Sequence, residues 1–225
     1  MMRFLCLLFT LLFASDLAGE AMAETLIEQH HYLETVGNKS MTLNWCLFEA
    51  QRFKVRTSHG TEEDLTWVDK GFATWLWQFT DQTPGSDFRV ERQGNTLKLS
   101  GKLRGKVIDR VHEIDDAPWF QTLSLSLRLF LKGSQKSIEF WSLRPTTLEV
   151  YKLRAVKKGI EEIEVSQKMV RADRVEIRLA GFGRILWKAD YWFRLNDAVF
   201  IRYVGPSGPP GTPKTIVSLI RDLHP

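Results

Sequence analysis

RILWKADYWFRLNDAVFIRYVGPSGPPGTPKT, the stretch from Arg184 to Thr215, contains two strand-like segments followed by a loop rich in proline and glycine. In the first segment, apolar residues from Ile185 to Leu195 alternate with mostly charged residues, which is typical of a strand with one buried face. Asn196 and Asp197 favour a turn, because both tolerate positive φ and can hydrogen-bond their own backbone. The stretch therefore predicts a hairpin whose second strand is Val199 to Val204.

The length of the turn sets the register of this hairpin. A three-residue loop from Asn196 to Ala198 places Tyr191 opposite Tyr203, so that apolar side chains meet across the strands. A two-residue loop places Tyr191 opposite Arg202 instead. We predict the longer loop, which also sets Trp192 beside Arg202 for a cation–π contact. The same register gives two further pairs, Leu195 with Val199 and Phe193 with Ile201.

Most of the remaining chain also has strand patterns, separated by turn signals at the spacing of all-β domains. The predicted strands are Thr25 to Val36, Ser40 to Ala50, Arg52 to Ser58, Phe72 to Thr80, Asp87 to Arg92, Thr96 to Leu103, Lys106 to Ile114, Lys136 to Leu143, Thr147 to Val156, Ile160 to Val170, Asp173 to Ala180 and Lys214 to Ile220. Gly60 to Asp64 is predicted to be a polar connection. About a dozen strands in one domain must curl or close.

One segment departs from this pattern. Between residues 117 and 132 apolar residues recur at helical spacing, Asp116 suits the start of a helix and Gly133 suits its end. Leu123 to Leu131 also alternates with other residues, which is the pattern of a strand. We prefer the helix, because leucine is a strong helix former and the end signals agree with it. The predicted fold is mainly β, a strongly curved antiparallel sheet or incomplete barrel with one helix covering its concave side.

The first 23 residues are typical of a secretory signal peptide. Arg3 is followed by an apolar run from Phe4 to Ala14, and Ala21-Met22-Ala23 suits cleavage. A membrane anchor is the less favoured alternative, since the run is about half of the roughly 20 residues that span a bilayer. We expect residues 24–225 to form a single β-rich domain in the periplasm, without a transmembrane segment. Cys46 is its single cysteine and excludes an intramolecular disulfide.

No motif specifies a reaction or a cofactor. His30 and His31 are adjacent on a predicted strand and point to opposite faces, so they do not suit a shared metal site. Asp115 and Asp116 could form an acid/base pair, but helix capping is the simpler interpretation. The net charge of +4 is spread along the strands. We therefore expect a non-enzymatic monomer with no metal, cofactor or nucleic-acid partner.

The aromatic content is the strongest chemical signal. All eight tryptophans follow residue 23. They either fill a wide β core or line a cleft for an apolar ligand in a concave sheet, and both interpretations remain open. The candidate ligand-binding residues are Trp75, Trp77, Phe120, Leu127, Trp141, Trp187, Tyr191 and Phe193.

The order of several short motifs resembles a known family. These motifs are Asp-x-Pro-Trp ending at Trp119, Gly133, Phe140-Trp141, Leu153-Arg154-Ala155, Gly159, Tyr191-Trp192-Phe193 and Phe200-Ile201-Arg202-Tyr203. Together they resemble uncharacterised bacterial periplasmic β-proteins classed as a domain of unknown function. That family is similar in architecture to the periplasmic lipoprotein carriers, whose half-barrel shelters acyl chains under several helices. The resemblance implies a curved sheet, and it assigns no catalytic residue.

Two functions fit these observations. The first is a periplasmic protein that binds an apolar or lipid-like ligand in the concave sheet. The alternative is an envelope-assembly or scaffolding protein that docks a partner through a sheet edge or through the Pro/Gly loop around Gly208 to Gly211.

Overall fold

A computed structural model describes residues 24–83, 85–181, 187–206 and 212–223. The predicted signal peptide and the centre of the Pro/Gly loop lie outside the described residues. Within those ranges the chain forms fourteen strands and one helix. In chain order they are β1 (Thr25–Val36), β2 (Lys39–Glu49), β3 (Phe53–His59), β4 (Glu62–Val68), β5 (Thr74–Asp81), β6 (Ser86–Gln93), β7 (Thr96–Leu103), β8 (Lys106–Glu113), α1 (Leu123–Lys132), β9 (Ser137–Leu143), β10 (Val150–Val165), β11 (Lys168–Leu179), β12 (Lys188–Arg194), β13 (Phe200–Pro206) and β14 (Lys214–Leu223).

All fourteen strands belong to one antiparallel sheet, in the order β8 to β1 followed by β14 to β9. Almost every strand pairs with its neighbours in sequence. The exception is β1 with β14, which brings the two ends of the described chain together, with Glu34 opposite Val217. The predicted mainly β, antiparallel fold with a single helix is therefore confirmed, and fourteen strands agree with the expectation of about a dozen.

An extended segment between β8 and the helix links the two halves of the sheet. The peptide N–H of Thr74 at the start of β5 donates to the carbonyl of Trp119 across 2.7 Å. The N–H of Phe120 donates to the carbonyl of Trp141 on β9 across 2.8 Å. These bonds tie β5 to β9 without closing the sheet into a barrel.

This segment corrects the predicted start of the helix. Because the peptide groups of Trp119 and Phe120 bond to strands, the helix begins at Leu123 and not near residue 117. The expected capping role of Asp115 is also wrong. Its carboxylate accepts hydrogen bonds from the Ala117 N–H and the Trp141 indole N–H.

The helix itself exists where leucine is concentrated, and the strand alternative is wrong over these residues. Its inner face buries Leu125, Leu127 and Phe130. These side chains enter a core cluster with residues of both halves of the sheet, including Val55 and Phe193. Burial of this apolar face stabilises a helix that would be marginal in isolation at ten residues.

Two strand boundaries also differ from the prediction. Glu62 already lies in β4, so the expected connection from Gly60 to Asp64 shrinks to a tight turn. Strand β10 continues through Gly159, where a register shift and a φ of 119° absorb an extra residue. The β10–β11 hairpin then turns at Ser166 and Gln167, which both have positive φ.

Two of the four pairs predicted for the hairpin of β12 and β13 are observed. The predicted pair of Leu195 with Val199 is wrong, because the N–H of Arg194 donates to the Val199 carbonyl across 2.8 Å. Tyr191 lies opposite Tyr203, and Arg202 lies opposite Trp192 with its guanidinium carbon 6.0 Å from the indole centroid. The register then shifts, so Phe193 faces Phe200 in place of Ile201. A bulge is the physical reason, since one extra residue on β13 changes the phase of the pairing.

Candidate functional site

The concave face of the sheet contains an elongated cleft of about 620 Å³. Its walls come from the β1–β4 side and from the β9–β14 side, and the residues before and at the start of α1, 121–124, contribute to its floor. The apolar side chains that line it include Tyr32, Leu43, Trp45, Leu153, Leu179, Trp187, Tyr191, Phe200, Tyr203 and Val217.

Strand alternation explains why these side chains meet. On β1 the inward positions include His30, Tyr32 and Glu34, and Trp45 of β2 lies directly opposite His30. On β14 the inward residue Val217 lies opposite Glu34. Successive inward positions are about 6.6 Å apart along a strand. The inward side chains of these strands therefore line the cleft one after another, from the helix to its open end.

An ion network attaches the helix to the sheet below the cleft. Arg128 of α1 donates to Glu28 of β1 across 2.8 Å, and its side chain is 8% exposed. His30, fully buried, lies 3.1 Å from Glu28 and 2.9 Å from Asp222. Burial alone would raise the pKa of Glu28, but hydrogen bonds from His30 and Arg128 outweigh it and lower the pKa to about 2. The helix is therefore fixed by charge as well as by apolar packing.

The Trp45 ring closes the floor of the cleft above this network. It stacks on His30 with a centroid separation of 5.2 Å, and the Arg128 guanidinium carbon lies 5.5 Å from its centroid. These contacts hold the ring in place where it lines the cleft.

Beyond Glu34 the cleft continues into a second cavity of about 540 Å³, lined by four carboxylates. We call the set Glu34, Glu62, Asp64 and Asp81 the acidic arm. Glu34 and Asp64 line both cavities. The two spaces therefore share a wall, and the acidic arm lies directly beside the apolar cleft.

The carboxylates of the acidic arm differ in their surroundings. Asp64 accepts hydrogen bonds from the Trp77 indole and the Thr66 hydroxyl at 2.8 and 2.9 Å. Burial is the larger effect and raises the pKa of Asp64 to about 6. Burial also raises the pKa of Glu62, to which the charges of Asp81 and Glu34 add. The arm therefore concentrates negative charge in a partly desolvated space.

The eight residues singled out in the sequence occupy several environments. Trp187 and Tyr191 line the cleft. Three are buried in the core cluster beneath it, namely Phe120, Leu127 and Phe193. Trp77 is fully buried in a second cluster formed by β5–β9 and the segments beside them.

The other two of these tryptophans lie away from the cleft. Trp141 donates its indole N–H to Asp115 across 2.8 Å. Trp75 lies in a groove with Trp67 and Lys54 on the outer face of the sheet. A register shift between β4 and β5 separates Trp75 from the face that Trp77 occupies.

Sequence reasoning missed the polar part of this site. Glu34, Glu62 and Asp64 were not recognised, since acidic residues near Gly60 suggested a loop. A usable signal was present, because Glu62, Asp64, Thr66 and Val68 alternate as the inward face of one strand.

The described part of the chain contains no group of three or more His, Cys, Asp or Glu side chains placed to hold a metal ion. Among the residues with described structure, no helix has the length and apolar character needed to cross a membrane.

Comparison with known proteins supports the fold. The chain matches no family model, and no curated protein matches it. It is similar to a β-barrel-like protein of the domain of unknown function DUF1849 from Brucella abortus, with a TM-score of 0.59 and 8% identity over 89% of this chain and 98% of that chain. A DUF1329 family protein from Desulfovibrio piger matches over 91% and 87% of the two chains with 9% identity and a TM-score of 0.30.

The two structural matches support conclusions of different strength. The first shows that the chain shares the fold of a β-barrel-like protein, in agreement with the resemblance found in the sequence. The second has too low a TM-score to carry an argument. At such identities neither assigns an activity.

Proposed function

We propose that this protein is an exported, non-enzymatic binding protein of the periplasm that holds an apolar or lipid-like ligand in its cleft. The observation that supports the proposal is that the protein has a well-packed core under the helix and, beside it, an apolar cleft that its own side chains do not fill. Leu125, Leu127 and Phe130 already pack the space under the helix. Trp187 and Tyr191 nevertheless remain half-buried against a cavity of about 620 Å³.

The dimensions and chemistry of the cleft support a ligand. Small-molecule sites occupy roughly 300–1,000 Å³ and are lined mainly by apolar and aromatic groups with a few polar ones. Removal of apolar surface from water contributes about 25 cal/mol per Å², part of which is offset by the entropy lost on binding. Half-buried rings such as Tyr191 and Tyr203, 4.9 Å apart between centroids, can contribute such surface. Support for export comes from residues 1–23, whose sequence is typical of a signal peptide.

Native mass spectrometry of detergent-free protein from a bacterial periplasm tests this function. We expect an apolar adduct of defined mass that is released on denaturation. Val217→Trp fills the cleft and should remove the adduct, whereas Ser218→Trp places the same ring on the opposite face of β14 and should retain it. An adduct-free mass for the unmodified protein would contradict the proposal.

A second candidate function is docking of a partner protein by strand addition. Strand β8 ends the sheet and pairs with β7 alone within the described structure. It exposes Val107 and Val111, at 78% and 61%. Edge strands with exposed apolar residues are favourable sites for an added strand. The Pro/Gly loop segment 208–211, the other docking element considered, lies outside the described residues.

The edge hypothesis has a direct test. A double change, Val107→Lys with Val111→Lys, should abolish capture of an envelope partner while the monomer stays folded. Met169→Lys is the matched control, since Met169 is 65% exposed at the β10–β11 hairpin. Capture that survives the double change would eliminate this edge as the docking site.

A further inference from the structure

The cleft is amphipathic along its length. Toward the helix it is lined by Trp45, Leu153 and Tyr191, and toward its other end it opens onto the acidic arm. Glu34 stands at the junction of the two cavities. Its half-buried carboxylate makes no hydrogen bond or ion pair with any other residue of the described ranges.

Two buried polar side chains of the cleft lack a hydrogen-bond partner, and the one near Glu34 points independently to a ligand. The hydroxyl of Thr215 and the indole N–H of Trp45 have no hydrogen-bond partner among the described residues. The two residues are 4% and 3% exposed. A buried polar group without a partner is unfavourable, so a polar atom of a bound molecule would account for the Thr215 hydroxyl.

The position of Thr215 connects this observation to the acidic arm. Thr215 lies opposite Val36, and Glu34 is the next inward residue along β1. Diagonal neighbours of this kind are about 7–8 Å apart across an antiparallel pair. The unpartnered hydroxyl and the unpaired carboxylate therefore face the same end of the cleft.

The charged side chains at this end of the cleft determine which charge a ligand can carry there. Four carboxylates line the acidic arm, against His59 and Arg104. His59 lies 3.2 Å from Glu62, and Arg104 is exposed. Arg144 at the cleft lies 3.9 Å from Glu149. An anionic group would meet net repulsion here, whereas a cation would be attracted to the carboxylates and to the faces of nearby aromatic rings.

We propose that the acidic arm binds the cationic head group of an amphiphile whose apolar part occupies the cleft. This inference rests on the proposed ligand-binding function and names the class of ligand. The positively charged head group lies against the Glu34 carboxylate and is held by electrostatic attraction, without transfer of a proton. The Thr215 hydroxyl supplies a hydrogen bond to polar atoms next to the charge, and the chain extends toward Trp45 and the helix.

Paired amphiphiles of equal chain length test the inference. Binding of dodecyltrimethylammonium and of dodecyl sulfate, both below their micelle concentrations, is followed by calorimetry and by tryptophan fluorescence. We expect the ammonium compound to bind about tenfold more tightly, which is a modest preference for a partly solvated charge pair. Glu34→Gln should reduce that preference to about twofold, because it removes the unpaired charge with little change in shape.

Glu63→Gln is the control, since Glu63 pairs with Arg56 on the outer face and should leave the preference unchanged. Equal binding of both amphiphiles, or tighter binding of the sulfate, overturns the cationic head group while ligand binding stands. An undiminished preference in Glu34→Gln overturns the role of Glu34. Absence of binding by either amphiphile overturns the proposed function together with this inference.

Discussion

Trp77 on β5 donates its indole N–H to the carboxylate of Asp64 on β4 across 2.8 Å. Trp77 is fully buried in the second core cluster, whereas Asp64 lines both cavities of the site. The hydroxyl of Thr66 supplies a second hydrogen bond at 2.9 Å. Within the acidic arm, the Asp64 carboxylate is therefore oriented by the protein core.

The environment of Asp64 predicts a pH dependence of stability. Its folded pKa of about 6 lies above its ordinary value of 3.8, so the folded protein holds this proton more tightly than the unfolded chain. The resulting stabilisation is complete below pH 4 and is lost as the pH rises through 6. Asp64→Asn removes this loss, and between pH 4.5 and pH 7.5 its free energy of unfolding should improve relative to wild type by about 2 kcal/mol.

Urea unfolding of both proteins at several pH values measures this difference. This figure is smaller than the about 3 kcal/mol of the full pKa shift, because part of the stabilisation is already lost at pH 4.5. Asp109→Asn, a change at an exposed position of β8, should follow the wild-type pH profile. A parallel profile for Asp64→Asn would show that Asp64 is not the titrating group.

Arg128 predicts a large loss of stability on substitution. Arg128→Met keeps much of the side-chain volume but leaves the partly buried Glu28 carboxylate without its guanidinium partner. Breaking such a pair from one side costs about 3 kcal/mol in the free energy of unfolding. Arg110→Met, at an exposed position of β8, should change it by less than about 0.5 kcal/mol. Similar values for the two variants would contradict an anchoring role for Arg128.

The lowered pKa of Glu28 predicts that its contribution to stability is lost in acid, whereas the contribution of Asp64 is lost as the pH rises. Its folded pKa of about 2 lies below its ordinary value of 4.5, so its stabilisation is present above pH 5 and is lost as the pH falls toward 2. Glu28→Gln should cost about 2 kcal/mol at pH 7 and much less at pH 3, as chemical denaturation at the two pH values would show. Glu113→Gln, exposed on β8, is the matched control. A cost that does not change with pH would exclude this ionisation as its source.

Local patterns in the sequence predicted much of the fold. Alternation identified β1 from Thr25 to Val36 and β7 from Thr96 to Leu103 with their observed bounds. It also predicted the pairing of Tyr191 with Tyr203, although the pairing next to the turn differs and a bulge in β13 restores the predicted register at these residues. These features depend on residues close together in the chain, and so they can be inferred without knowledge of tertiary contacts.

The candidate site depends on distant contacts and was predicted only in part. Trp187 and Tyr191 were expected at the ligand, but Glu34 reaches the cleft through pairing of β1 with β14 at the far end of the chain. A register shift next to Val68 moved Trp75 to the outer face, and alternation alone cannot reveal such a change of phase. Which side chains of a strand point into the cleft therefore depends on bulges and on the curvature of the sheet.

The close packing around Gly205, at the rim of the cleft, predicts that a larger side chain does not fit at this position. It pairs with Thr215, and a Cβ atom at this position would collide with the ring of Tyr203 and lie 2.7 Å from the Ala189 Cβ. Tyr203 in turn donates its hydroxyl to the Pro206 carbonyl across 3.1 Å, so the ring cannot move without losing that bond. Gly205→Ala should therefore lower the free energy of unfolding by about 2 kcal/mol.

The matched control for Gly205→Ala is Gly133→Ala at the end of the helix. A Cβ there would meet its nearest atom, the Leu129 carbonyl oxygen, at an ordinary contact distance of 3.5 Å, and the φ of −81° suits alanine. We expect its stability to stay within about 0.5 kcal/mol of wild type in urea unfolding. Since Tyr203 lines the cleft, Gly205→Ala should also weaken binding of dodecyltrimethylammonium, and Gly133→Ala should not. Unchanged stability and binding in Gly205→Ala would show that the rim at Tyr203 yields freely and does not shape the site.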